Sequence, residues 1–62
     1  MSYLKLDQTK EDPFTGPEWV SDADIATPFA TRERAEAAKV RVANASGVIH
    51  DDGADCWLVV RA

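Results

Sequence analysis

The sequence predicts an α+β domain, with a small antiparallel sheet of three to four strands and one helix packed on one face. Three observations support this fold class. One alanine-rich segment has helical spacing, the apolar runs around it are short and rich in β-branched or aromatic residues, and large core-forming side chains are few. The 62 residues make a single domain, 1–62. A chain of this length buries only about 60% of its unfolded surface, so we expect a thin core.

The segment before the helix is predicted to contain a strand, a loop and the start of a second strand. Residues 3–6 alternate between apolar and polar, which is typical of an edge strand. Residues 7–18 contain two prolines, a glycine and many of the acidic residues, so they predict a loop. Residues 19–20 can begin a second short strand. Residues 23–26 form either a helical turn or an extended piece, because Pro28 prevents a longer helix.

A helix is predicted over residues 32–45. Thr31 can cap its N-terminus, and Phe29 just before it can staple the start of the helix onto the core. Gly47 is the predicted stop signal. The residues at positions 35, 38, 42 and 45 are alanine or valine and form one narrow apolar stripe. We expect these small side chains to let the helix lie close to the sheet.

Two apolar runs, 48–50 and 56–60, predict a β-hairpin, because the five residues between them are polar or small and contain Asp-Gly. In the second run, Cys56 and every second residue after it share one face. We expect that face to pack under the helix. Trp57 and Val59 would then be partly exposed on the other face.

Charge is distributed unevenly along the chain. Residues 1–6 carry a net +1, residues 7–31 carry −5, residues 32–46 carry +2 and residues 47–62 carry −2, which gives the formal net charge of −4. Such a field attracts basic surfaces and repels nucleic acid. The cations of the predicted helix have acidic neighbours at three- and four-residue spacing. They therefore predict a solvated helix face and no direct binding of nucleic acid.

Residue types that carry catalytic or metal chemistry are few. His50 and Cys56 are the single histidine and the single cysteine, so no internal disulfide and no four-ligand zinc site can form. Cys56 lies in an apolar strand pattern and is predicted to be a small buried hydrophobe, with His50 at a strand end. Asp22 and Asp24 have calcium-loop spacing, but the residues after them do not continue an EF-hand. We predict a non-enzymatic protein with no metal and no cofactor.

The acidic residues admit two interpretations, which are solubility and recognition of a basic partner. On an extended segment, Asp22 and Asp24 would project from the same side roughly 6.6 Å apart, on the scale of phosphate spacing along a nucleic-acid strand. Trp19 or Phe14 would supply an aromatic anchor. The predicted partner-binding residues are Asp12, Glu18, Trp19, Asp22, Asp24, Asp51, Asp52 and Asp55.

Residues 19–35 resemble a module found in small phage and bacterial proteins of unassigned role. Its features are Trp19, an acidic turn, Phe29 and Thr31. In size, acidity and lack of catalytic residues, the whole chain resembles phage-encoded inhibitors of host defence. The closest class is the anti-CRISPR proteins that act as DNA mimics on a type I CRISPR surveillance complex. This resemblance implies an inhibitor whose partner is the basic surface of such a host nucleic-acid-binding complex.

Two alternative functions stay open. The first is a small structural or regulatory homodimer that hides Trp57 and Val59, although a monomer is favoured. The second is a small enzyme that uses His50 and Cys56.

The location is predicted to be cytoplasmic, which means the host cytoplasm for a phage-encoded chain. A lone cysteine fits a reducing compartment. The first residues lack the apolar core of a signal peptide. No apolar run approaches the roughly 20 residues of a membrane span, so no membrane partner is expected.

Overall fold

A computed structural model describes all 62 residues and confirms the predicted fold class. The chain forms a four-stranded antiparallel sheet with one α-helix on a face. In chain order, the elements are β1 (Ser2–Lys5), β2 (Glu18–Val20), a 3-10 helix (Ala23–Ile25), α1 (Arg32–Lys39), β3 (Gly47–Asp51) and β4 (Cys56–Arg61). The strand order across the sheet is β2-β1-β4-β3.

The prediction that the first strand lies at an edge is wrong, because β1 has a partner strand on each side. Tyr3 aligns with Val20 of β2 and with Val60 of β4. Leu4 is almost fully buried on the helix side of the sheet, and Tyr3 packs on the opposite side. The alternation of residues 3–6 indicates a strand but carries no information on how many of its edges are paired.

Residues 27–29, called the linker below, lie in a gap between β1 and β4. The two strands pair directly only where Ser2 meets Arg61 and Tyr3 meets Val60. Beyond that point the strands separate, and the linker bonds to one strand on each side.

Four hydrogen bonds hold the linker in place. Thr27 donates its N–H to the Leu4 carbonyl at 3.0 Å, and its hydroxyl accepts the Leu6 N–H at 2.7 Å. Phe29 and Trp57 exchange both of their backbone N–H···O=C bonds, at 2.9 and 2.8 Å. The linker thereby supplies partners for backbone groups that the separated strands would leave unpaired.

The core has two parts, one on each face of the sheet, and together they contain nine of the ten buried residues of the chain. On the helix side, Val59 is fully buried in a cluster that includes Ala35 of α1. On the other side, Cys56 and Leu58 form a cluster with Ala26, just after the 3-10 helix. The predicted orientation of the last strand is therefore wrong, because Val59 lies under the helix and Cys56 does not.

The linker explains this orientation. Phe29 pairs with Trp57 and lies two residues before Thr31, where the helix is capped. α1 therefore begins on the face that Trp57 and Val59 share. Alternation along β4 could not distinguish the two faces, because both are apolar.

α1 ends at Lys39, well before the predicted end at residue 45. The Val42 N–H donates to the Lys39 carbonyl three residues earlier, so the chain tightens into 3-10-type turns that still bury Val42. Asn44 then takes a left-handed conformation, with φ of 69°. It ends the helical region in place of Gly47, which opens β3. No helix of the chain has the length or the apolar run that a membrane crossing needs.

The remaining element predictions are confirmed. β3 and β4 form the hairpin, with Ile49 opposite Leu58 and Asp51 opposite Cys56. Glu18–Val20 is the second short strand, and Ala23–Ile25 is the helical-turn alternative. Phe29 packs against the helix-side core as the predicted staple.

Replacing Thr31 with alanine should lower the free energy of unfolding by about 1 kcal/mol, because its hydroxyl accepts the Arg34 N–H at 3.1 Å. Thr31→Ser keeps this acceptor and is the matched control. Urea unfolding followed by circular dichroism measures both variants. An equal decrease in the free energy of unfolding in the alanine and serine variants would contradict the role of Thr31 as the cap.

Replacing Thr27 with valine should cost about 1–3 kcal/mol, because the part-buried Leu6 N–H loses its acceptor while the side-chain volume is kept. Thr27→Ser retains the oxygen and should be less destabilising. The same urea experiment measures the difference between the two variants. A valine variant as stable as the serine variant would show that the linker is not held by this bond.

Candidate functional site

Four of the predicted partner-binding residues lie on the side of the sheet that α1 leaves free. This surface, called the acidic face, consists of Glu18, Asp22, Asp24 and Asp51. Val20 and Ile49 pack in the cluster on this side. Because strand side chains alternate, Glu18 and Asp51, each two residues away from one of them, point the same way. Asp22 caps the 3-10 helix Ala23–Ile25 and Asp24 lies within it, and this helix packs on the same side of the sheet through Ala23.

Asp22 and Asp24 do not lie on a common extended segment, so the spacing predicted for them does not apply. Asp22 is extended, but its carboxylate accepts the Asp24 N–H at 2.9 Å and caps the 3-10 helix Ala23–Ile25. Such a cap fixes the Asp22 carboxylate relative to the backbone. Both residues are exposed, so their charges face solvent from an ordered turn.

The hairpin loop brings three of the predicted residues together. Asp51 Oδ1 accepts the N–H groups of Gly53 and Ala54, at 3.1 and 3.4 Å, and shapes the turn. Asp52 Oδ1 lies 2.6 Å from His50 Nδ1, and Asp55 Oδ1 lies 3.4 Å from His50 Nε2. The side chains of these two aspartates, on opposite edges of one imidazole ring, are 96% exposed. The loop therefore presents carboxylates from a defined turn.

The other two predicted residues, Asp12 and Trp19, lie on the helix side. Asp12 is 3.8 Å from Arg41, and its carboxylate also accepts the Phe14 N–H at 3.0 Å. Trp19 packs against the helix-side core and is covered by Arg61. The structure therefore separates these two residues from the acidic face.

Three arginines lie over aromatic rings on the helix side. Arg61 is 4.8 Å from the centroid of Trp19, Arg41 is 4.1 Å from Phe14, and Arg32 is 5.9 Å from Trp57. Cation–π contacts of this kind are worth about 0.5–1 kcal/mol at exposed sites. These contacts also cover Phe14 and Trp19, the two aromatic side chains predicted as partner anchors.

The three arginines that lie over aromatic rings and the four carboxylates of the acidic face are therefore on opposite sides of the sheet, a division that the sequence alone does not predict. The one cation in a strand on the acidic side is Lys5, opposite Glu18 in the β1–β2 register but not ion-paired with it. The alternation of side chains along a strand is enough to predict that Glu18 lies on the same face as Val20, and Arg61 on the same face as Trp57. It could not show which of the two faces the helix covers.

Cys56 and His50 lie on opposite sides of the sheet. Cys56 packs with Ala26 and Leu58, whereas the His50 ring contacts Trp57, with 4.8 Å between ring centroids. They therefore cannot form a nucleophile–base pair in this arrangement. Burial raises the pKa of the Cys56 thiol, and the nearby carboxylates add to the shift. The prediction that Cys56 is a buried hydrophobe is confirmed.

The loop before β2 borders a depression of about 550 Å³ lined almost entirely by polar and charged residues, among them Lys5, Lys10 and Glu18. Beside it, the Asp7 carboxylate accepts two hydrogen bonds from Thr9, which lower the pKa of Asp7. No group of histidine, cysteine or acidic side chains converges as a metal site would require. The chemistry the surface offers is charge and hydrogen bonding from fixed positions.

No family model matches the sequence, and no match was found among curated proteins or solved structures. The geometry and charge of the surface are therefore the basis for proposing a function.

Stability should fall as the pH rises above about 9, and Cys56 should be one cause. The unfolded thiol ionises near its ordinary pKa of 9.0, while the folded thiol, with a raised pKa, stays protonated. The unfolded state then binds fewer protons, so alkaline pH favours unfolding until the folded pKa is passed. Urea titrations at pH 7 and pH 10 should show a smaller pH effect for Cys56→Ala. An equal pH effect in both proteins would contradict the shift.

Proposed function

We propose that this protein is a non-enzymatic acidic inhibitor that binds the basic, nucleic-acid-binding surface of a host complex and occupies the place of the nucleic acid. The observation that carries the proposal is the group of four carboxylates on the acidic face, which lies on the side of the sheet opposite α1. An anti-CRISPR-like inhibitor encoded by a phage, acting in the host cytoplasm on a type I CRISPR surveillance complex, is the concrete form we favour. That form rests on the resemblance in size, acidity and composition.

Carboxylates held in fixed positions favour such binding. Glu18 and Asp51 lie on strands, and Asp22 and Asp51 accept backbone N–H groups that restrict their movement. A preorganised side chain loses less conformational entropy on binding than a free one does. Complementary charge also raises the rate of encounter and makes it sensitive to salt.

The arginines support the same function from the other side of the molecule. Arg32, Arg41 and Arg61 lie over aromatic rings of the helix side, where they do not neutralise the acidic face. The ion pairs to arginine, Arg32 with Glu36 and Arg41 with Asp12, also involve no residue of the acidic face. A cationic channel approaching the acidic face would therefore meet its carboxylates without these arginines, although Lys5 and Lys10 lie near Glu18.

The homodimer alternative assumes that Trp57 and Val59 are exposed in a single chain and are covered by a second copy. Val59 is instead fully buried within one chain. Trp57 is half-buried and contacts Phe29 and His50. Val59 therefore has no surface for a second copy to cover, and the Trp57 ring has Arg32 over it within the same chain.

The proposal predicts that charge on the acidic face matters more than total charge. A variant with Asp22→Asn, Asp24→Asn and Asp51→Asn removes three negative charges, and its amide oxygens can still accept the turn hydrogen bonds. We expect it to lose partner capture by at least about tenfold, while its circular dichroism spectrum is retained. The matched control, Asp12→Asn with Glu33→Gln and Glu36→Gln, removes the same charge from the helix side and should capture normally.

Capture is measured by passing a bacterial lysate over the immobilised protein and identifying bound proteins by mass spectrometry. The expected partner is a nucleic-acid-binding complex that is released by double-stranded DNA and by raising the salt from about 0.05 to 0.5 M. Capture that resists DNA, or that survives in the acidic-face variant, would refute the mimicry.

A further inference from the structure

The two edges of the sheet differ in how well they are protected against pairing with another strand. β2 has only three residues, follows Pro17 and begins with the exposed Glu18, which are features that discourage pairing. β3 has five residues and contains no proline and no lysine. An edge of that kind is a ready template for a further strand.

The direction of the free backbone groups on β3 follows from the linker. Trp57 uses both its N–H and its carbonyl to bond Phe29, on the side of β4 away from β3. His50 stands opposite Trp57 in the hairpin register, so this pair is one of the pairs that share no hydrogen bonds. The N–H and carbonyl of His50 therefore point outward, and those of Val48 do the same by alternation.

We infer that the outer edge of β3 binds an extended, basic segment of the partner protein by adding it to the sheet as a fifth, antiparallel strand. This inference rests on the proposed function, because it specifies how the basic partner is held. Main-chain hydrogen bonds to Val48 and His50 would supply affinity, as in other cases of strand addition. The exposed edge and the charge next to it carry the inference together.

Charge complementarity selects the basic segment over other occupants. β3 ends at Asp51, where the chain enters a loop that also contains Asp52 and Asp55. An antiparallel strand on this edge begins opposite Asp51, so lysine or arginine near its first residues would meet these carboxylates. Further along, the segment would pass Ile49, which is only partly buried, and end opposite Gly47, where there is no side chain to obstruct it.

The test uses a synthetic peptide of about eight residues, with two N-terminal lysines followed by alternating threonine and valine. It should bind the protein in an NMR titration, with the largest amide shifts at Val48 and His50. The same peptide with an N-methyl group on every threonine and valine amide keeps its charge but has no N–H on either edge of these residues to donate to β3. It should bind at least about tenfold more weakly, since several hydrogen bonds are lost. Equal binding by both peptides would overturn the inference.

A protein variant tests the same bond from the other side. His50→Pro removes the outward N–H without removing a bond of the β3–β4 ladder, a position at which edge strands tolerate proline. His50→Thr is the control, because it removes the imidazole but keeps the N–H. We expect the proline variant to bind the peptide about tenfold more weakly than the threonine variant. Equal affinities would count against strand addition, and the N-methylated peptide decides the matter if the proline variant does not fold.

Two further results distinguish the possible failures. If the free protein has twice the mass of one chain and His50→Pro halves it, a second copy occupies the edge and the inference is wrong. If lysate capture depends on the acidic-face residues but not on the His50 N–H, the proposed function stands and strand addition falls. If capture depends on neither, both proposals fall.

Discussion

The reciprocal pair of hydrogen bonds between Phe29 and Trp57 is the interaction on which the rest of the structure depends. It holds the linker between β1 and β4, where the two strands no longer pair. It also fixes the face on which the helix begins, since Thr31 caps α1 two residues after Phe29. In addition, it uses the N–H and carbonyl of Trp57 on the side of β4 that faces away from β3. This determines which backbone groups of β3 point away from the sheet.

The placement of the ring-covering arginines and of the acidic face on opposite sides of the sheet follows from this choice of face. Once α1 covers the side that carries Trp57 and Val59, the arginines near aromatic rings are on the covered side. Glu18 and Asp51 alternate to the other side, where the 3-10 segment adds Asp22 and Asp24. A thin core is sufficient for this arrangement, because small alanines let the helix approach the sheet closely.

Local signals in the sequence were enough to predict most of the elements. Thr31 as a cap, the Asp-Gly hairpin and the buried Cys56 are each decided by a few neighbouring residues, and each is confirmed. The end of the helix was missed because the chain changes to 3-10-type turns after Lys39, and Asn44, in a left-handed conformation, ends those turns before Gly47 is reached.

The candidate site was only partly predictable, because it depends on contacts between distant parts of the chain. The acidic residues were identified by type, but their division between two sides follows from the pairing of Phe29 with Trp57, 28 positions away. Likewise, no local pattern shows that Arg41 covers Phe14 or that Arg61 covers Trp19. The interior position of β1 was hidden for the same reason.

Amide hydrogen exchange in the free protein, measured residue by residue by NMR, tests the central claim most directly. If Phe29 and Trp57 bond each other and leave the edge of β3 open, their amides and that of Ile49 should be protected, while the amides of Val48 and His50 exchange rapidly. Protection at Val48 and His50, or rapid exchange at Phe29 and Trp57 with the sheet otherwise intact, would contradict the claim.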